Sequence, residues 1–188
     1  LGIGPDDLVV AYVGRLAPEK GIDRLLSAWE IVAALHPTAH LVFTGAGLME
    51  PAILARGLPR VHLTGVQRGL DLSAAYASAD VFAMPSTTET FGNVTLEAMA
   101  SGVPPVAVAD GGVLDFGVHD ENAWLTPPDR PDQLAAGIDR LLADPGLRRR
   151  LGQGARATAL ARGWGPVFDQ LVDHYRSAVL PESGAEAA

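Results

Sequence analysis

The chain has 188 residues, 48% of them apolar and none of them cysteine, and 14 Lys and Arg against 22 Asp and Glu give a net charge of −8. This composition supports the core of one large or two small domains, and it excludes disulfides, Cys-ligated zinc, iron–sulfur clusters and thiol catalysis. An acidic surface is a poor non-specific partner for nucleic-acid phosphates, and no apolar run approaches the roughly 20 residues that span a bilayer. The chain opens Leu1-Gly2-Ile3-Gly4-Pro5, with neither an initiator Met nor a signal peptide. That start reads as a processed chain or a piece of a longer one.

Residues 8–13 form a short apolar run closed by Gly14, as expected of a strand buried on both faces. Ile22, Leu25, Leu26, Trp29 and Val32 then recur at helical spacing, predicting a helix over residues 21–35 that Pro37 ends. Further strands are predicted at 41–44, 61–64, 81–84, 105–108 and 123–125, with helices at 50–56, 72–77 and 94–101 between them. Three helices close the chain at 131–143, 146–161 and 166–179, and residues 181–188 read as a disordered tail. Strands alternating with helices imply an α/β, Rossmann-like doubly wound parallel sheet that binds ligand beyond the carboxyl ends of its strands.

Polar residues and glycines gather after those strands. Gly14 to Gly21 follows the first, Gly45-Ala46-Gly47 the second, residues 85–93 the fourth and Asp110-Gly111-Gly112 the fifth. Arg15 and Lys20 put a planar fork and a point charge on one loop, as an anionic ligand would require. The plainer reading makes both solvated surface charges, with Lys20 paired to Glu19. Gly92 and Asn93 open a helix whose first N–H groups and dipole favour an anion. Glu89 precedes that helix and Glu97 lies within it beside Ala98-Met99-Ala100. A carboxylate among apolar residues calls for a partner, such as a sugar diol or an Arg elsewhere. A plain surface position is the other reading.

Other chemistry finds no support in the spacing. The phosphate loop G-x-x-x-x-G-K-[ST], the nucleophile elbow G-x-S-x-G and a closely spaced Asp-x-Asp pair for a divalent ion are all absent. His36 and His40 are four apart, but Pro37 lies between them and spoils a shared helix face. With His62, His119 and His174, they read as structural or exposed.

Four segments together resemble the C-terminal, donor-binding domain of the GT-B glycosyltransferases, most closely family 4, the retaining "glycosyl transferases group 1". Residues 14–21 look like its G-R-L-x-x-E-K-G, and residues 42–47 like its strand followed by G-x-G. Residues 85–100 look like its P-S-x-x-E-x-F-G-x-x-x-L-E-A-M-A, with Ser101-Gly102-Val103-Pro104 and Gly111-Gly112 following in order. The chain departs from the pattern at Pro105, Asp115 and Ala123, where Val, Glu and Gly are usual.

The resemblance implies that residues 1–180 are a nucleotide-sugar-binding domain and that the N-terminal acceptor domain is missing. It implies Arg15 and Lys20 on the donor diphosphate, Glu89 on the transferred sugar and Glu97 on the ribose hydroxyls. Backbone at Gly14, Gly45, Phe91, Gly92, Asn93 and Val94 would line the donor site, and the base would lie near Val66 and Arg68. No metal or cofactor is implied beyond a UDP- or GDP-linked sugar. Arg15, Lys20 and Glu89 would serve catalysis. The implied location is cytoplasmic, with the inner membrane face open to the full-length enzyme, and the last helix, lacking its partner domain, would expose an apolar face or repack. A nucleotide-sugar 2-epimerase and a non-catalytic nucleotide-binding module stand as alternatives.

Overall fold

The computed structural model describes residues 1–179, so the tail expected at 181–188 lies outside the described residues. Six strands form one sheet: β1 (Val9–Val13), β2 (His40–Thr44), β3 (Val61–Leu63), β4 (Val81–Met84), β5 (Pro105–Val108) and β6 (Trp124–Thr126). Their order is β3-β2-β1-β4-β5-β6 and every pairing is parallel. Residues of β1, β2, β4 and β5 are almost all buried, which is why they read as unbroken apolar runs rather than alternating ones. Pro105 is accommodated because it is the first residue of β5, where a missing N–H weakens the ladder least.

Helices cover both faces. On one, α1 (Ile22–Leu35) packs against α5 (Pro131–Ala143), with Leu25, Leu26, Trp29 and Val32 meeting Leu134, Ile138 and Leu141 over the sheet. The short α2 (Glu50–Ala55) adds Ile53 to that core. On the other face, α3 (Gly69–Ala77), α4 (Asn93–Ala100) and α6 (Pro145–Ala161) enclose Tyr76, Phe82, Met84, Met99 and Phe116. Asp144 caps α6, its carboxylate accepting from the Leu147 N–H at 2.9 Å, and Pro145 fills the first helical position.

The terminal α7 (Trp164–Val179) leaves Val167, Leu171, Val172 and Tyr175 exposed along one side. Of the two outcomes expected for that helix, an exposed apolar face and a repacked one, the described residues show the first. No helix among the described residues is long and apolar enough to cross a membrane.

Differences from the expected elements are small and have local causes. Two short 3-10 turns, Pro18–Lys20 and Gly111–Asp115, are too brief to leave a periodicity. α3 begins at Gly69, three residues before its first partly buried apolar residue, Leu72. β6 extends to Thr126, whose partner in the ladder is Val108.

Phe82 is fully buried in β4, inside the core of the α4 face. Phe82→Ala is expected to lower unfolding free energy by about 3–5 kcal/mol, read from denaturant melts, because the cavity cannot fully collapse.

Candidate functional site

The strand order reverses between β1 and β4, and the loops beyond their carboxyl ends diverge to leave a crevice there. Backbone hydrogen bonds build one wall. Gly14 donates to Thr44 O at 3.0 Å, Leu16 to Ala46 O at 3.0 Å, and Gly45 to Gly65 O at 2.8 Å. The loops after β1, β2 and β3 are therefore joined backbone to backbone. A side chain at Gly45 would collide with the Gly14 carbonyl, so this wall needs glycine.

The other wall is the loop from Pro85 to Gly92. Gly112 N–H donates to Glu89 O at 2.7 Å, pinning this loop to the one after β5. Ser86 Oγ accepts from the Thr88 N–H at 3.2 Å, tightening the turn within it. Gly92 then adopts a left-handed φ of 80° and opens α4, with the Phe116 ring packed beneath it. The first N–H groups of α4 come without intrahelical acceptors and make this end of the crevice attractive to an anion.

The walls meet through side chains. After the Pro18–Lys20 turn, Gly21 takes a φ of 72°, and its bare Cα fits against the Pro85 carbonyl. This close approach carries Lys20 across the crevice, where its Nζ lies 2.5 Å from Glu89 Oε1, both side chains about one-fifth exposed. Thr88 Oγ1 donates to Glu19 O at 3.1 Å and reinforces the crossing. Arg15 pairs with Glu19 at 2.6 Å, with its side chain 66% exposed. The pairing of Lys20 with Glu19 considered from sequence is thus corrected. Glu19 takes Arg15, and Lys20 reaches a carboxylate 69 residues away.

A cavity of about 330 Å³ is lined by Tyr12, Val13, Gly14, Arg15, Lys20 and residues 88–94. Glu89, Phe91, Gly92, Asn93 and Val94 are therefore brought together around one cavity. A second cavity of about 320 Å³ shares Val13, Gly14, Arg15 and Val94 with the first and continues past Thr44, Gly45 and Val66 to Glu97. The crevice is charged at one end and more apolar at the other.

Arg68 is the exception. It precedes α3 in an extended conformation, is exposed, and lines neither cavity. Gln67 lines the second cavity instead, its Nε2 donating to Thr64 O at 2.7 Å. Tyr12, Thr44 and Gln67 carry no sequence signal. The first two lie in strands that read as core, and the third belongs to an irregular loop.

Glu97 is exposed, while its neighbours Ala98 and Met99 turn into the core. Its partner is neither Arg nor solvent alone. The Tyr76 hydroxyl donates to its Oε2 at 2.7 Å. Burial pushes the Tyr76 phenol well above the ordinary phenol range, and the Glu97 carboxylate adds to the shift. Tyr12, donating to Arg15 O at 3.0 Å, is raised chiefly by burial and further by the negative charge of Glu89.

The histidines lie elsewhere. His40 and His62 bond to each other at 2.8 Å, and His62 is lowered by burial and by His40. No cluster of three His, Cys, Asp or Glu able to hold a metal occurs among the described residues.

The family described as Glycosyl transferases group 1 matches residues 1–158. The chain is 41% identical over 181 residues to a GDP-mannose-dependent alpha-mannosyltransferase of Mycolicibacterium smegmatis, covering 96% of this chain and 46% of that protein. It is 35% identical over 189 residues to a D-inositol 3-phosphate glycosyltransferase of Segniliparus rotundus, covering 95% and 42%. Among solved structures it matches Anabaena Alr3699/HepE in complex with UDP at a TM-score of 0.80 and 28% identity, covering 93% of this chain and 50% of that one. The chain spans about half the length of the curated relatives it matches.

Both buried phenols have raised pKa values, so their stabilising contribution is complete below the unfolded value of about 10 and is lost as pH rises beyond it. Spectrophotometric titration of the folded chain should show Tyr12 and Tyr76 ionising above that range, and the same titration in urea should bring both back to about 10.

Proposed function

The chain belongs to the glycosyl transferases group 1 family, and from that premise we propose that it is the donor-binding half of a retaining, metal-independent glycosyltransferase. It binds a nucleoside diphosphate sugar, and a partner domain supplies the acceptor. The observation that carries this reading is the convergence of Arg15, Lys20, Glu89 and the start of α4 on one 330 Å³ cavity at the switch point.

The chemistry follows from the leaving group. When the bond from the anomeric carbon to the diphosphate breaks, its electron pair stays on the departing phosphate oxygen. Positive charge aimed at that oxygen lowers the barrier. Lys20, Arg15 and the α4 N–H groups provide it without a divalent ion. Lys20 rests on Glu89 and exchanges that carboxylate for phosphate oxygens as the donor enters, which frees Glu89 for the hydroxyls of the transferred sugar. The acceptor attacks the face from which the diphosphate departs, and a phosphate oxygen takes the acceptor's proton. Glu89 is accordingly not the nucleophile of a glycosidase-like carboxylate pair.

Glu97 meets the ribose hydroxyls, and the more apolar end of the crevice at Val66 and Gln67 takes the base. Related proteins are named for GDP-mannose and one neighbouring structure holds UDP, so these two nucleotides are the first to test.

Calorimetric titration with UDP, GDP and ADP is expected to select one nucleotide. Lys20→Ala and Arg15→Ala should each weaken binding roughly tenfold, as loss of a charged hydrogen bond does. Glu97→Ala should weaken it through the ribose. Glu89→Ala should affect the sugar-linked donor more than the free diphosphate. EDTA or added magnesium should change the affinities little, and a strict need for a divalent ion contradicts the reading.

A further inference from the structure

Tyr76 is the one buried residue of α3, and it is 3% exposed. Its ring packs against Phe82 of β4 with centroids 6.0 Å apart, so the position of the hydroxyl is set by the core. That hydroxyl ends on an exposed carboxylate, Glu97 Oε2, at 2.7 Å. Among the described residues Glu97 Oε1 takes no hydrogen bond, and Glu97 borders the more apolar cavity beside Val94 and Gly14. A glutamate on a helix surface otherwise samples several rotamers. Here a rigid donor from the core holds one oxygen and leaves the other as an acceptor.

We propose that Tyr76 is a positioning residue that fixes Glu97 for the ribose of the donor, and that through it the site selects ribonucleoside diphosphate sugars over their 2′-deoxy counterparts. The inference rests on the donor-binding reading of Glu97 given above. A ribose presents two adjacent hydroxyl donors, and one carboxylate oxygen has lone pairs for both. A 2′-deoxyribose loses one of these bonds and leaves part of the carboxylate unsatisfied, which is how a site built for a hydroxyl rejects the analogue without it. Because the phenol stays protonated through the physiological range, it remains a donor to Glu97.

The test is titration of the 188-residue chain with GDP, UDP and their 2′-deoxy forms. Wild type is expected to prefer the ribonucleotides by about tenfold, the scale of a hydrogen bond to a charged group. Tyr76→Phe keeps the ring against Phe82 and should reduce the preference to within about twofold, leaving affinity for the 2′-deoxy forms nearly unchanged. A purely structural role would weaken both forms equally and keep their ratio. Glu97→Asp draws the carboxylate away from the phenol without touching the buried ring, and it should reduce the same ratio. Adding Tyr76→Phe to Glu97→Gln should change the ratio no further. Retention of the wild-type ratio in Tyr76→Phe overturns the positioning role and leaves the ribose contact standing. Absence of any ribonucleotide preference in a wild type that binds overturns the Glu97–ribose contact and the inference with it, whereas binding of none of the four nucleotides overturns the donor-binding reading itself.

Discussion

Lys20 and Glu89 belong to loops 69 residues apart, and their contact closes the gap that the reversal of strand order opens between β1 and β4. The approach that allows it is made of backbone. Gly21 lies against the Pro85 carbonyl in a conformation that side-chain-bearing residues rarely adopt, and Gly112 holds the Glu89 carbonyl from the far side. With both side chains mostly shielded from water, the attraction is stronger than at an open surface. Arg15 is matched in the same way by Glu19, although in a far more exposed position, where such a pair contributes little. Both cations of the crevice are thus already paired before any ligand arrives, and an anion entering it must compete with carboxylates already in place.

Everything beneath that contact serves to hold two rows of loops in register. Parallel strands direct all their carboxyl ends to one edge, and the apolar cores on the two faces fix the strands against bending. Loops on the β1–β3 side are joined backbone to backbone, while those on the β4–β5 side are joined through Gly112. The crevice between these two units has room for a ligand with a charged portion and a more apolar end. A nucleotide linked to a sugar through a diphosphate has that character.

Much of this is legible in the sequence because the signals are local. Unbroken apolar runs announce buried parallel strands, and the spacing of Leu25, Leu26, Trp29 and Val32 announces the buried side of α1. The loops that carry the site are also legible, since Arg15, Lys20 and Glu89 sit directly after strands. Which acid faces which cation is not. Glu19 is adjacent to Lys20 in sequence, but the 3-10 turn sends the two side chains to different partners. Glu97 shows the same limit. Its apolar neighbours suggest burial, whereas the helix turns Ala98 and Met99 inward and leaves the carboxylate outside, held by a phenol from another helix. The choice of Gln67 over Arg68 depends on where an irregular loop turns, which no periodicity records.

The central claim is that a nucleoside diphosphate occupies the crevice bridged by Lys20 and Glu89. Amide chemical-shift mapping of the isotopically labelled chain, titrated with GDP and UDP, tests it most directly. The account predicts shifts concentrated in residues 14–21, 45–47, 66–67 and 89–97, the segments that border the crevice. Shifts centred on the opposite edge of the sheet near His40 and His62, or none with either nucleotide at millimolar concentration, would contradict it.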